Sequence, residues 1–343
     1  MRPTLREYVA GTGQSSLPMS GPNWGYVFGA LGAVLFSMKA IFVKVAYQPG
    51  SGISENEIDA ITLMAMRLGF SMPIYLLIMA LVLRRIWHSD KENPKLSDMV
   101  LAGALGILGY YICAFLDIEA LKYVTAQLER LILFTYPVFV LILSAVFLGF
   151  RPKFLSVVFI LIGYSGIIVI FAGGDITESD NLWLGVGMLL ACAILFAAFQ
   201  LLAKPMIARL GSTLFTCCAM IAAGMVIFTH LTVQNLESGV FQTASNLPLR
   251  IWMIGIALAF LSTLIPSFLV NIAIGRIGAQ ATATLGLLSP VATIIFAILW
   301  LGEPFGKYDA FGTLLTLIGI GLYSWHSRKS DPTPPKYPAA LHK

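Results

Sequence analysis

Charged residues such as Lys39, Lys44, Arg67, Glu129 and Arg130 fall inside long apolar runs of the chain. A charge in hydrocarbon costs about 2.5–3.5 kcal/mol even on insertion scales, so such residues face a bundle interior or an aqueous cavity. Lys39 offers a cation for a substrate carboxylate or phosphate; the bland alternative is a lysine that snorkels to the membrane boundary. Arg67 offers a planar fork that can hold an anion with two parallel hydrogen bonds. Its alternative is a buried ion pair between helices. Glu129 and Arg130 are neighbours, about 100° apart on a helix, and are expected to find partners elsewhere. Lys39 or Arg67 is the expected partner of Glu129. A desolvated carboxyl binds and releases protons near neutrality, which makes Glu129 a candidate coupling site, with Arg130 as a charge partner. Asp117 and Glu119 lie near the end of the third run and read as interface residues.

Neutral polar groups complete the candidate substrate site: Tyr111, Gln200 and Asn271, with Gln127 and Gln280 as further polar positions in or near the runs. Such groups line cavities or hydrogen-bond across helices. Pro137, Pro266 and Pro290 each remove a backbone donor and free a carbonyl upstream, as a gate or a break near a site would require. Other chemistry is poorly served. The four cysteines, Cys113, Cys192, Cys217 and Cys218, sit in apolar runs without metal-ligand spacing, and no disulfide, metal or cofactor is expected. There is no Walker loop. Gly163-Tyr164-Ser165-Gly166 fits a Gly-x-Ser-Gly intramembrane hydrolase pattern, but a serine nucleophile needs a base. His88, His326 and His342 read as loop or tail residues, and His230 sits at a different depth from Ser165.

The elements that must position these residues follow from composition. Of 343 residues 58% are hydrophobic and 11% charged, and the mean hydropathy is +0.84. A soluble domain carries roughly a quarter charged residues, so a cytosolic enzyme and a disordered chain are excluded. No basic patch with interleaved aromatics suggests nucleic acid. Ten apolar segments run over 24–47, 58–83, 99–121, 124–149, 153–173, 182–204, 212–233, 249–274, 279–301 and 306–326. Each is long enough to cross a bilayer as a helix. With a cytoplasmic N-terminus, fifteen lysines and arginines, among them Arg84, Arg85, Arg151 and Lys153, lie inside, and Lys122, Arg250 and Lys307 lie outside. That bias predicts both termini on the cytoplasmic face.

The chain also reads as two copies of one unit. Ala126-Gln127, Pro137-Val138 and Leu148-Gly149 recur 153 residues later as Ala279-Gln280, Pro290-Val291 and Leu301-Gly302. Five helices per copy is an odd number, so the second copy is inverted, a recurrent design of secondary transporters. The predicted fold class is therefore an all-α integral membrane protein of ten transmembrane helices in two inverted five-helix repeats. Residues 24–173 and 174–326 are the repeats. Residues 1–23 read as a cytoplasmic tail without a signal-peptide pattern, and 327–343 as a disordered cytoplasmic tail.

Gly278-Ala279-Gln280, Ser289-Pro290-Val291, Leu301-Gly302-Glu303-Pro304, the last-helix glycines Gly312, Gly319 and Gly321, and Arg67 together resemble the drug/metabolite transporter superfamily, in its EamA-like branch. Phe150 departs from it, standing where many members have a glutamate; this suggests a structural role for Glu303. The resemblance implies a central cavity, alternating access, no cofactor, and a bacterial inner (plasma) membrane location. It implies transport, often export, of an amino acid, organic anion or drug-like solute. Proton or ion coupling, and a monomer or homodimer in the lipid bilayer, are compatible with it. A passive channel is the competing reading, with a Ser165 hydrolase behind it.

Overall fold

The computed structural model describes residues 22–47, 58–88, 94–148, 154–173, 181–236, 247–270, 272–273, 285–286 and 288–330. Asn271, Gln280, Phe150 and Arg151 lie outside these. Among the described residues every regular element is helical. The elements are α1 (Pro22–Tyr47), α2 (Ala60–Trp87), α3 (Leu96–Ala120), α4 (Ala126–Leu133), α5 (Tyr136–Leu148) and α6 (Phe154–Gly173). They continue as α7 (Leu182–Leu210), α8 (Ser212–Gln234), α9 (Leu249–Val270), α10 (Leu288–Leu301) and α11 (Lys307–Ser330). Seven helices among the described residues are long and apolar enough to cross a membrane, α4 and α5 together counting as one of them. Two shorter apolar helices cover Val157–Ile170 and Leu288–Leu301.

Local chemistry sets the boundaries. Asp59 caps α2 by accepting from the Thr62 N–H at 2.7 Å, and Thr125 caps α4 by accepting from Leu128 N–H at 3.2 Å. Gly302, at φ 65°, ends α10 in the left-handed region that suits glycine. The fourth apolar segment is divided. α4 ends at Leu133, Phe134 and Thr135 form a turn, and α5 restarts at Tyr136, one residue before Pro137. Proline is tolerated in the first turn of a helix, where its missing donor has no partner to lose. Pro290 is likewise in the first turn of α10. At the C-terminal end, α11 continues through Ser330, so residues 327–330, expected in the tail, are helical. His326, expected in a loop or tail, is on that helix with its ring 5.8 Å from Phe159.

Glycine permits the closest helix approaches. A Cβ on Gly166 would stand 2.3 Å from the Gly312 carbonyl oxygen, and one on Gly319 2.2 Å from Gly163 N. α6 and α11 therefore meet backbone to backbone. Within this crossing Thr316 donates to the Gly163 carbonyl at 3.1 Å, and the Ser165 hydroxyl donates to Ile162 of its own helix at 2.8 Å. Gly106 of α3 meets Ala219 of α8 as closely. The main core joins α1, α2, α3, α8 and α9 through side chains such as Ile41, Leu63, Ile118, Ile227 and Leu258. Outward, Leu77, Val146, Phe147, Trp183 and Leu299 are exposed, an apolar rim suited to lipid rather than water.

Among the described residues three helices contain a π-turn: α3 over Ile107–Ile112, α9 over Phe260–Leu264 and α10 over Ala297–Leu301. In α9 the turn immediately precedes Pro266, whose missing N–H it helps accommodate. Thr263 Oγ1 and Ser262 Oγ donate to the Leu258 carbonyl there, at 2.9 and 2.8 Å. The helix thus runs on through Pro266 to Val270 without a break.

Candidate functional site

The charged side chains of the apolar runs converge where α1, α3 and α4 meet. Lys39 Nζ donates to Asp117 Oδ2 and lies 3.3 Å from Glu129 Oε1. Arg130 Nε approaches Glu129 Oε2 at 3.5 Å. Both carboxylates face the one Lys39 ammonium. Two cations and two carboxylates thus form one group of zero formal charge, with Glu129 fully buried. Desolvating either sign alone would be costly, and the mutual pairing offsets it.

Short distances along each helix explain the convergence. Asp117 is three residues before the end of α3, Glu129 is the fourth residue of α4, and only 121–125 separate the two helices. Lys39 is eight residues before the end of α1, about 12 Å at 1.5 Å per residue, a distance a lysine stem partly covers. The cluster therefore sits toward the end of the bundle where α1 and α3 finish and α4 begins.

Two sequence expectations change. Asp117, read as an interface residue, is the hydrogen-bond partner of Lys39. A carboxylate inside an apolar run was the available signal; its partner, 78 residues away in sequence, is visible only in the fold. Glu129 and Arg130, expected not to pair with each other, do approach. Arginine is long enough to fold back across the 100° between neighbours, although the contact lacks hydrogen-bond geometry. The expected pairing of Glu129 with Lys39 is present.

Arg67 is differently placed. It lies within electrostatic range of Asp117, Tyr75 and Tyr110, yet no carboxylate among the described residues comes within ion-pair distance. Its Nε is buried without a hydrogen-bond partner. A desolvated guanidinium with an open donor presents its charge to whatever anion enters beside it. Other candidates lie apart from the cluster. Tyr111 hydrogen-bonds His230 of α8 at 2.9 Å, which also leaves His230 engaged away from Ser165. Gln200 of α7 lies beside Tyr136, whose ring packs edge-on against Phe196.

Glu303 joins the two parts of the chain. From the short link between α10 and α11 it accepts the Ala126 N–H at 2.7 Å and the Gln127 N–H at 3.3 Å. Both are orphan donors at the start of α4, where a negative charge also meets the positive end of the helix dipole. Gln127 Nε2 donates back to the Pro304 carbonyl at 3.3 Å. Burial pushes the Glu303 carboxyl above its ordinary value, while the two N–H groups and the Lys44 charge pull it the other way. A separate cavity of about 310 Å³ between α2, α8 and α9 is lined by apolar groups including Met66, Gly69, Phe70, Phe228 and Trp252, with no charged residue. No cluster of three or more metal-ligating side chains occurs among the described residues.

The cluster's charges lie inside long apolar helices, and comparison with known proteins gives the family. The EamA-like transporter family model matches twice, over residues 23–172 and 183–325. The chain belongs to the EamA-like transporter family. It is similar to the uncharacterized transporter YcbK of Bacillus subtilis, at 26% identity over 84% of this chain and 88% of that one. It is also similar to a probable terminal-alkyne amino-acid exporter of Streptantibioticus cattleyicolor, at 30% identity over 67% of this chain and 75% of that one. A solved crystal structure matches 90% of this chain and 98% of its own, with TM-score 0.56 and 15% identity, which shows a shared fold. The protein is a multi-pass membrane transporter of a small molecule, not an enzyme.

Proposed function

We propose that this transporter is a secondary carrier that moves a small organic metabolite of the amino-acid class across the inner membrane, in the export direction, by alternating access. The observation that carries the reading is the pair of charge environments beside one another: the neutral Lys39–Asp117–Glu129–Arg130 cluster and the buried Arg67 without an ion pair. In this reading Arg67 receives the substrate carboxylate. Lys39 already faces two carboxylates, so it serves the cluster before it serves a substrate anion. Glu129 and Asp117 trade partners, or a proton, when the cluster opens, and Arg130 holds Glu129 meanwhile.

Ten spans in two inverted repeats, over 24–173 and 174–326, with both termini cytoplasmic, supply the frame. Support comes from the recurrence of sequence pairs at an interval of 153, from the family model matching each half and from the lysine and arginine bias. Pro137, Pro266 and Pro290 are then candidate points of bending. The amino-acid class follows the printed name of the Streptantibioticus relative and the need for an anionic group at Arg67. Uptake of a radiolabelled L-amino-acid mixture by reconstituted vesicles tests the reading. Saturable uptake that Arg67→Met abolishes supports it; uptake indistinguishable from empty vesicles, or unchanged in Arg67→Met, overturns it.

A further inference from the structure

The π-turns of α3 and α9 begin at Ile107 and Phe260, 153 residues apart. That is the interval at which Ala126-Gln127, Pro137-Val138 and Leu148-Gly149 recur. π-turns are rare and arise where one surplus residue is held in an α-helix, frequently at functional sites. Pro266 gives the second turn a local cause, but the first is followed by Cys113, not proline. Its cause lies in packing. Before the turn, Gly106 is pressed against the Ala219 backbone, and Gly109, inside the turn, lies under the Phe199 ring. After the turn, Cys192 Sγ donates to the Cys113 carbonyl at 3.2 Å, and Asp117 holds Lys39. α7 lies along α3 on both sides of the turn, through Arg209 at Asp98 and Cys192 at Cys113, while α8 meets it at Gly106 before the surplus residue and α1 at Asp117 after it.

The segments after the turns share a partner. Asp117 touches α1 at Lys39. Its counterpart at the interval of 153 is Val270, which lies against α1 at Gly32, 2.8 Å from where a Cβ would stand. Lys39 and Gly32 are seven residues apart, on nearly the same face of α1. α1 is therefore held by equivalent post-turn segments from the two halves of the chain.

We propose that these paired π-turns are the joints through which the two halves change their hold on α1 during transport, the turn in α3 being the one that aims Asp117 at Lys39. Absorbing the surplus residue into a regular α-helix rotates the segment after the turn by about 100° and moves it about 1.5 Å along the axis. Asp117 then leaves Lys39 while the packing at Gly106 stays in place. The proposal rests on the alternating-access reading.

Deletion of Ile112 separates this role from a structural one. Ile112 is an outward-facing residue of the turn, 37% exposed. Removing it eliminates the surplus and gives a continuous α-helix whose two ends keep their present faces, Asp117 included. Expected is a variant with wild-type protection against melting by an L-amino-acid mixture and with uptake reduced at least about tenfold, because the joint is gone. Uptake within about twofold of wild type would overturn the proposal. A label pair decides independently of whether that deletion folds. Spin labels are placed at Ile112→Cys in α3 and Met225→Cys, an exposed position of α8, in a background without the native cysteines. Two distance populations whose weights shift on adding the amino-acid mixture are expected; one unchanging distance overturns the proposal. Wild-type vesicles run alongside keep the two readings apart, because absent wild-type uptake rejects the transport reading itself.

Discussion

Replacing Lys39 by methionine tests the charge cluster through its balance. Lys39 is the partner of Asp117 and lies 3.3 Å from Glu129, so its removal leaves one net negative charge among side chains that are almost wholly buried. Breaking a buried pair by deleting one member costs about 3–5 kcal/mol, because an uncompensated charge remains. For a chain of this size each kcal/mol lowers the melting temperature by about 2 °C, so a loss of roughly 6–10 °C is expected for Lys39→Met in a detergent melting assay. The double variant Lys39→Met/Asp117→Asn removes one charge of each sign and leaves Glu129 facing Arg130. It is expected to recover at least half of the loss, a non-additivity that only directly coupled residues show. A single variant that melts within 2 °C of wild type, or a double variant that melts lower than the single, would refute the pairing as drawn.

Other expectations follow from particular contacts. Arg67→Met is expected to weaken protection by L-amino acids by about 30–100-fold, the worth of a lost charge-assisted hydrogen bond, with Arg67→Lys in between; titrated melting curves measure both. Glu303→Ala removes an acceptor from two α4 donors and is expected to cost about 0.5–2 kcal/mol in the same assay. Because burial raises the Glu303 carboxyl, the folded state binds its proton more tightly than the unfolded chain does. That stabilising contribution is full below the ordinary carboxylate range and fades as pH rises through the raised value. The melting difference between wild type and Glu303→Gln should therefore move in the variant's favour as pH rises from the ordinary carboxylate range through the raised value. Gly166→Leu places a side chain where a Cβ already stands 2.3 Å from the Gly312 oxygen. It is expected to part α6 from α11 and lower folded yield in size-exclusion chromatography, while substitution at Gly187, which has open space around it, leaves yield unchanged.

Apolar run length made the helices legible, since only a self-bonded helix suits a long stretch without charges. The expensive charges Lys39 and Glu129 were legible for the same reason, and they do meet. Asp117 was not, because its closeness to the end of its run made a boundary role the cheaper reading; only the fold shows that Lys39 reaches it. The approach of Arg130 to Glu129 depends on a side-chain conformation that spacing alone does not specify. Glu303 was read as structural from the contrast with Phe150, but its acceptors' partners at the start of α4 lie 177 and 176 residues away in sequence. The division of the fourth segment was foreshadowed by Pro137. The π-turn of α3 was not, because it arises from competing grips on Gly106 and Asp117 and leaves no mark in hydrophobic periodicity.

Counterflow in reconstituted vesicles tests the carrier claim most directly. Vesicles preloaded with an unlabelled L-amino-acid mixture and diluted into trace label should accumulate that label transiently, saturably and only with wild-type protein, because a site open to one side at a time exchanges bound solute. Linear, non-saturating entry that preloading does not stimulate would contradict a carrier and leave a passive pore in its place.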